Sequence, residues 1–282
     1  MEKVLLHTPE GVRDVYGKEC AVKLTIENSI NKVFNIYGYH NIQTPTFEFF
    51  DIFSKERGSV ASKNLYKFFD REGNTLVLRP DVTPSIARLV AKYYMDVKVP
   101  VKLCYNANTY INNSELQGKL KENTQLGCEL INDDSVEADA EILALVVDSL
   151  KAAGLKEFLV EIGHADFYKG LLEECGFDTE NEQELRKRIE NKNYFGVEEI
   201  LDNNNITGQL KEAFLKLPEL FGSIDVIKSA KELTDNKKAL QSIERLEKLY
   251  SILEDYGVSK YISFDLGMIS NFNYYTGIIF KA

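Results

Sequence analysis

The chain has 282 residues, 44% hydrophobic and 11% aromatic, with a formal net charge of −10. This is enough for one large domain, or one domain with a smaller insert, around a well-filled core. No apolar run approaches the ~20 residues that span a bilayer, and the short basic runs Lys119-Leu120-Lys121 and Arg186-Lys187-Arg188, flanked by acids, argue against a face for nucleic acid.

In chain order, residues 18–36 place Ala21, Leu24, Ile26, Ile30, Val33 and Phe34 at helical spacing, with Gly38 as the stop. Tyr39 to Phe50 is aromatic and β-branched and reads as extended, with an edge or a break at Pro45. Leu65–Asp70 and Thr75–Arg79 read as a hairpin turning at Glu72-Gly73-Asn74, and Pro80 ends it. Thr83-Pro84 starts a helix to about Tyr94, with Thr83 as its N-cap. Val99–Ala107 and Thr124–Ile131 are strands; Asp133-Asp134-Ser135 caps a long helix that Gly154 ends; Phe158–Ile162 is a short strand.

From about Asp166 to Val258 strand signals vanish and helical periodicity takes over, while Tyr261–Leu266 and Tyr275–Phe280 return to strand character. Residues 1–165 with 259–282 therefore read as one core and residues 166–258 as a small helical insertion. Strands in runs with helices beside them indicate an α+β fold on a mostly antiparallel sheet.

Met1–His7 lacks the apolar core of a signal peptide, which points to a soluble cytoplasmic protein. The four cysteines, Cys20, Cys104, Cys128 and Cys175, form no Cys-x-x-Cys pair, and His7, His40 and His164 share no metal-ligand spacing. Reduced thiols, no metal and no cofactor are expected. No phosphate-binding glycine loop and no Ser-His-Asp or Cys-His arrangement is present, and His164 suits a packed, hydrogen-bonded histidine.

Three segments carry side chains suited to a ligand. In Thr124–Leu130, strand alternation puts Gln125, Gly127 and Glu129 on one face, and Leu126, Cys128 and Leu130 on the other, taken as core. A carboxylate, an amide and a gap suit an imidazole or ammonium group; they equally suit the solvated face of an antiparallel sheet. Asp81 and Thr83 sit where a strand gives way to a helix, placed either to hold an ammonium or to cap the helix. Tyr274 and Tyr275 stand at the mouth of the last strand, as ligand contacts or as packing.

Taken together and in this order, the segments from Thr8 to the end resemble the catalytic core of class II histidyl-tRNA synthetases and their regulatory paralogue. The stretch Tyr37-Gly38-Tyr39 to Thr44-Pro45 is similar to class II motif 1, which builds the dimer interface in that family. Leu78-Arg79-Pro80-Asp81-Val82-Thr83, Gln125-Leu126-Gly127-Cys128-Glu129 and Tyr274-Tyr275-Thr276-Gly277 match its histidine-pocket signatures. The resemblance implies a class II synthetase-like antiparallel sheet flanked by helices. It also implies that Asp81 and Thr83 hold the ligand's α-amino group, Gln125 supports the pocket, Glu129 accepts from the imidazole, and Tyr274 and Tyr275 close it. Asp81 stands where the synthetases usually carry Glu.

The departures point away from aminoacylation. Where the family's motif 2 has Phe-Arg-x-Glu, this chain has Tyr110-Ile111-Asn112-Asn113, and Ser270 replaces a second arginine before the tyrosine pair. The given sequence stops at Lys281-Ala282, before the motif 3 arginine and the anticodon-binding domain. Fixed cations on the α-phosphate drive adenylation, and losing one such donor costs on the order of 10²–10³ in rate. A pocket with amino-acid contacts and no ATP machinery matches the paralogue: no catalytic residues, histidine as effector, and a short-form ATP phosphoribosyltransferase catalytic subunit as partner. The expected assembly is a homodimer within a hetero-oligomer. The alternatives are a divergent or truncated histidyl-tRNA synthetase catalytic domain, and a scaffold that senses nothing.

Overall fold

A computed structural model describes residues 6–54, 60–113, 118–269 and 275–282. The chain divides into two units, residues 1–133 with 148–155 and residues 134–147 with 156–282. In the first unit, helix α1 (Gly17–Ile36) ends where the sequence placed its stop. Gly38 takes φ +83°, a left-handed conformation that costs glycine little, and Gly38 N–H and Tyr39 N–H close back on the carbonyls of Asn35 and Phe34. The extended run after it is two short strands, β1 (His40–Asn41) and β2 (Phe47–Phe49), with Pro45 between them.

β2 joins an antiparallel sheet with β3 (Lys67–Phe69) and the central β4 (Thr75–Leu78). The β3–β4 turn closes through Asp70, whose Oδ1 accepts from Asn74 N–H at 2.8 Å, with Gly73 at φ +85°. β1 runs parallel to β5 (Val101–Tyr110), and β5 pairs antiparallel with β6 (Glu122–Ile131), from Val101 opposite Ile131 to Tyr110 opposite Glu122. Helix α2 (Thr83–Tyr93) brings Ile86, with Val82 just before it, onto Val101, Leu103 and Tyr105; Phe53, Leu65 and Val77 form a second cluster.

Arg79 is 6% exposed. Its Nε donates to the Asn108 carbonyl at 2.8 Å and its Nη1 to the carbonyls of Thr44 and Pro45 at 2.7 and 3.1 Å. One guanidinium thus joins the end of β4, the β1–β2 link and β5.

Helix α3 (Val136–Ala152) starts with Ser135 Oγ accepting from Ala138 N–H and contributes residues to both units. In the second unit β7 (Val160–His164) is followed by α4 (Ala165–Cys175), α5 (Thr179–Glu190), α6 (Tyr194–Asn203), α7 (Gly208–Lys216), β8 (Phe221–Gly222), α8 (Asp225–Glu232), α9 (Lys237–Asp255), β9 (Ile262–Asp265) and β10 (Ile278–Lys281). The sheet order is β10-β7-β9-β8. Fully buried Ile162, Phe167, Leu171, Phe214, Leu246 and Phe264 fill its core. Among the described residues no helix is long and apolar enough to cross a membrane.

The mostly antiparallel reading holds with two exceptions, since β1 lies parallel to β5 and β7 parallel to β9. β8 falls inside the stretch read as free of strands; its two residues, paired to Asp265 and Phe264, are too few to show a period of two. The last strand begins at Ile278, after Tyr275.

Helices α4 and α9 meet at Gly170. A Cβ there would lie 2.5 Å from Asn236 Oδ1 and 2.9 Å from Ala239 N, and that same Oδ1 caps α9 by accepting from Lys238 and Ala239 N–H at 3.0 Å. Gly170→Ala must therefore displace the α9 cap. Urea unfolding is expected to show a loss of ~1–3 kcal/mol, the usual cost of overpacking, where a tolerated helical Gly→Ala would stabilise.

Candidate functional site

Four of the residues singled out in the sequence, Asp81, Thr83, Gln125 and Glu129, come together in the first unit where β4 hands over to α2 beside β6. Pro80 ends the strand, and the Asp81 carboxylate turns back to accept from Val82 N–H at 2.7 Å. Gln125 Nε2 approaches the same oxygen at 3.5 Å. Thr83 was expected to cap α2, but the capping position is Val82, in helical conformation and without a side-chain cap. The Thr83 hydroxyl instead donates to Glu129 Oε1 at 2.7 Å. A hydrogen bond to a carboxylate is roughly twice as strong as a neutral one, so Glu129 outcompetes the helix end.

The β5–β6 register sets Gln125, Gly127 and Glu129 opposite Ala107, Tyr105 and Leu103, and directly opposed side chains share a face. Leu103 and Tyr105 belong to the buried cluster, so the face carrying the polar residues is also the one packed beneath α2. Leu126, Cys128 and Leu130, expected as core, are partly buried to the same class as Gln125, Gly127 and Glu129, and Cys104 opposite Cys128 is fully buried, so both faces of β6 are covered. Their side of the sheet faces α1, where Asn106, opposite Leu126, donates to Glu27 at 2.8 Å.

Tyr105 was not singled out in the sequence. Its ring lies over Gly127, where a Cβ would come within 2.4 Å of the phenol oxygen and 2.5 Å of Cζ. The residue is 4% exposed. Burial pushes its phenol well above the ordinary range, with Glu129 and then Asp81 adding to the rise, so the hydroxyl stays a neutral donor. The only available signal was a strand aromatic facing a glycine, visible once the register is known.

The Glu129 carboxyl is pushed up by burial, against the lowering effect of the Thr83 hydrogen bond, and Asp81 raises it further. Among the described residues neither Asp81 nor Glu129 forms an ion pair with Lys or Arg. Two carboxylates without a cation, beside an amide and a phenol, favour a ligand that brings positive charge or N–H donors.

Tyr275 lies in the second unit, 40% exposed, its carbonyl accepting from Lys169 Nζ; Tyr274 and Ser270 lie outside the described residues. At the motif 2 position, Ile111 N–H donates to the Lys121 carbonyl at 2.9 Å, and the Asn113 amide donates to the Leu120 carbonyl at 3.1 Å. Asn113 thus directs its side chain to its own loop.

Residues 11–282 match the family model described as histidyl-tRNA synthetase. A Ruminiclostridium cellulolyticum protein named ATP phosphoribosyltransferase regulatory subunit is 47% identical over all of this chain and 67% of its own length. The chain spans about two thirds of the curated relatives it matches, 67% and 66% in two cases. A crystal structure of an ATP phosphoribosyltransferase regulatory subunit/histidyl-tRNA synthetase from Bacillus halodurans superposes with TM-score 0.89 at 36% identity, over 98% of this chain and 72% of that one. An ATP phosphoribosyl transferase (HisG:HisZ) complex from Thermotoga maritima shares the fold over 90% of this chain and 85% of that one, with TM-score 0.66 at 21% identity.

Two substitutions read this geometry. Gly127→Ala forces the Tyr105 ring aside and is expected to cost ~1–3 kcal/mol in chemical denaturation. Glu129 binds its proton more tightly folded than unfolded, so its ionisation draws stability away as pH rises above the ordinary glutamate value. Glu129→Gln removes that loss: its Tm relative to the parent should climb between pH 4 and pH 7, and a flat difference would contradict the buried carboxyl.

Proposed function

The chain belongs to the histidyl-tRNA synthetase family, and we propose that it serves there as the non-catalytic regulatory subunit of an ATP phosphoribosyltransferase. The observation that carries this reading is the combination of a relative so named, 47% identical over the whole chain, with Ile111 where the synthetases place the arginine for the ATP α-phosphate. Without that cation, charge building on the phosphate meets a hydrocarbon side chain.

The reading extends to histidine as effector. Asp81 and Thr83 are assigned to its ammonium, Gln125 to the support of Asp81, Glu129 to its imidazole, and Tyr274 and Tyr275 to closure. Two observations favour a cationic, donor-rich ligand at Asp81 and Glu129: both carboxylates lack a basic partner among the described residues, and Glu129 already receives one hydroxyl hydrogen bond at 2.7 Å. The partner is a short-form ATP phosphoribosyltransferase catalytic subunit, met in the cytoplasm as a hetero-oligomer containing a homodimer of this chain. Residues 1–165 and 259–282 supply the synthetase-like core, and residues 166–258 an insertion. Histidine then acts by binding one arrangement of the assembly better than the other, with a coupling of ~1–3 kcal/mol.

Mixing the purified chain with a short-form catalytic subunit tests this directly. Phosphoribosyl transfer should rise on complex formation and fall again with histidine. Glu129→Gln loses a charged hydrogen bond and should raise the histidine needed for half-reversal by about tenfold or more. Histidine-dependent ATP–pyrophosphate exchange by the chain alone would overturn the reading in favour of a synthetase.

A further inference from the structure

A second polar cavity, of about 380 Å³, lies wholly within the second unit, at the β7–α4 junction against one face of α9. His164 lines it and is 6% exposed. Its Nδ1 accepts from Asp166 N–H at 3.1 Å, as the N-cap of α4. The proton of the neutral ring therefore sits on Nε2, which has no hydrogen-bond partner among the described residues. Burial holds this imidazole far down, at about 4, with Asp166 opposing the shift and Arg245 and Lys169 adding to it. At neutral pH the ring is therefore a donor without a charge. The ring lines the cavity, so a ligand entering there can meet this donor and gain a hydrogen bond.

The rest of the lining narrows the ligand class. Arg245 directs Nε to Asp139 and Nη2 to the carbonyls of Asp134 and Ser135, which leaves Nη1. Lys238 is held by Glu173 at 2.6 Å. Gln241, one turn along α9, has a side-chain amide with no partner among the described residues. Both cations are thus compensated. The Asp166 carboxylate, in contrast, has no nearer cation than Lys238 Nζ at 4.0 Å, and the Asp134 carboxylate makes no ion pair among the described residues. A simple anion entering here would face two carboxylates. A simple cation would leave the His164, Gln241 and Arg245 donors unmet. We propose that this cavity binds a small zwitterion of the free amino-acid class, its carboxylate on His164 Nε2–H, Gln241 and Arg245 Nη1, its ammonium between Asp134 and Asp166. The volume, at the low end of ordinary ligand pockets, suits such a molecule.

The chain has three histidines, so ¹⁵N-histidine labelling gives a spectrum in which His164 stands apart by its low titration. The experiment uses the full chain carrying both Asp81→Asn and Glu129→Gln, which removes the two first-unit carboxylates from the response. Each of the common amino acids is added in turn, with acetate and methylammonium as single-charge controls. At least one amino acid should move the His164 signals saturably while His7 and His40 stay put. Gln241→Glu, on an exposed position, adds a third carboxylate and should weaken that binding about tenfold; Asp166→Asn should weaken it likewise. No shift with any amino acid, in a chain verified as folded, would overturn the proposal. So would equal binding of acetate or methylammonium, or binding unaffected by both substitutions.

Discussion

The carbonyl oxygens of Thr44, Pro45 and Asn108 converge on the guanidinium of Arg79, and most of the first unit's useful geometry follows from that convergence. Three backbone segments without a common sheet are held by one buried cation, solvated by the chain in place of water. Its own backbone takes part as well: Arg79 N–H donates to the Thr46 carbonyl, and the Arg79 carbonyl accepts from Tyr110 N–H. Because Pro80 and Asp81 come next, the strap decides where β4 releases the chain. The position of Asp81 beside Gln125, and of Thr83 beside Glu129, is inherited from it.

What gathers there is a site defined by charge imbalance. Asp81 and Glu129 are brought near one another, and the fold answers with neutral donors: a backbone amide, a glutamine, a hydroxyl. Neutral donors keep carboxylates in place without cancelling them, so an attraction for an ammonium or an imidazole is retained at the cost of a raised Glu129 carboxyl. The diversion of Thr83 from the end of α2 to Glu129 is a small local sacrifice to the same end; Pro84, needing no N–H partner, lets the helix start without a side-chain cap.

Much of this was legible in the residues. The periodicity of α1 with its Gly38 stop and the β3–β4 hairpin follow from patterns visible in the chain, whereas the grouping of Asp81, Thr83, Gln125 and Glu129 came only from the family resemblance. Tertiary competition was not legible. Thr83 carries every local mark of an N-cap, and only the arrival of Glu129, 46 residues away, redirects it. Alternation along β6 separated two sets of side chains correctly but could not say which set meets the core, because α1 and α2 cover both sides of that hairpin. Tyr105 carries no signal of its own in the sequence for a related reason: its meaning lies in what it opposes. β8, with two residues, is shorter than any pattern that could announce it.

Tyr105 and Gly127 also bear on how the chain finds its fold. Hairpin strands of ten residues can pair in several ways, and a slip of two keeps every side chain on its proper face. Such a slip would set Tyr105 against Gln125 or Glu129 in place of Gly127. The ring would then lose the vacancy it occupies and collide with a long polar side chain. The one gap in β6 thus acts as an alignment key, rejecting misthreaded hairpins during assembly that hydrophobic patterning alone would accept.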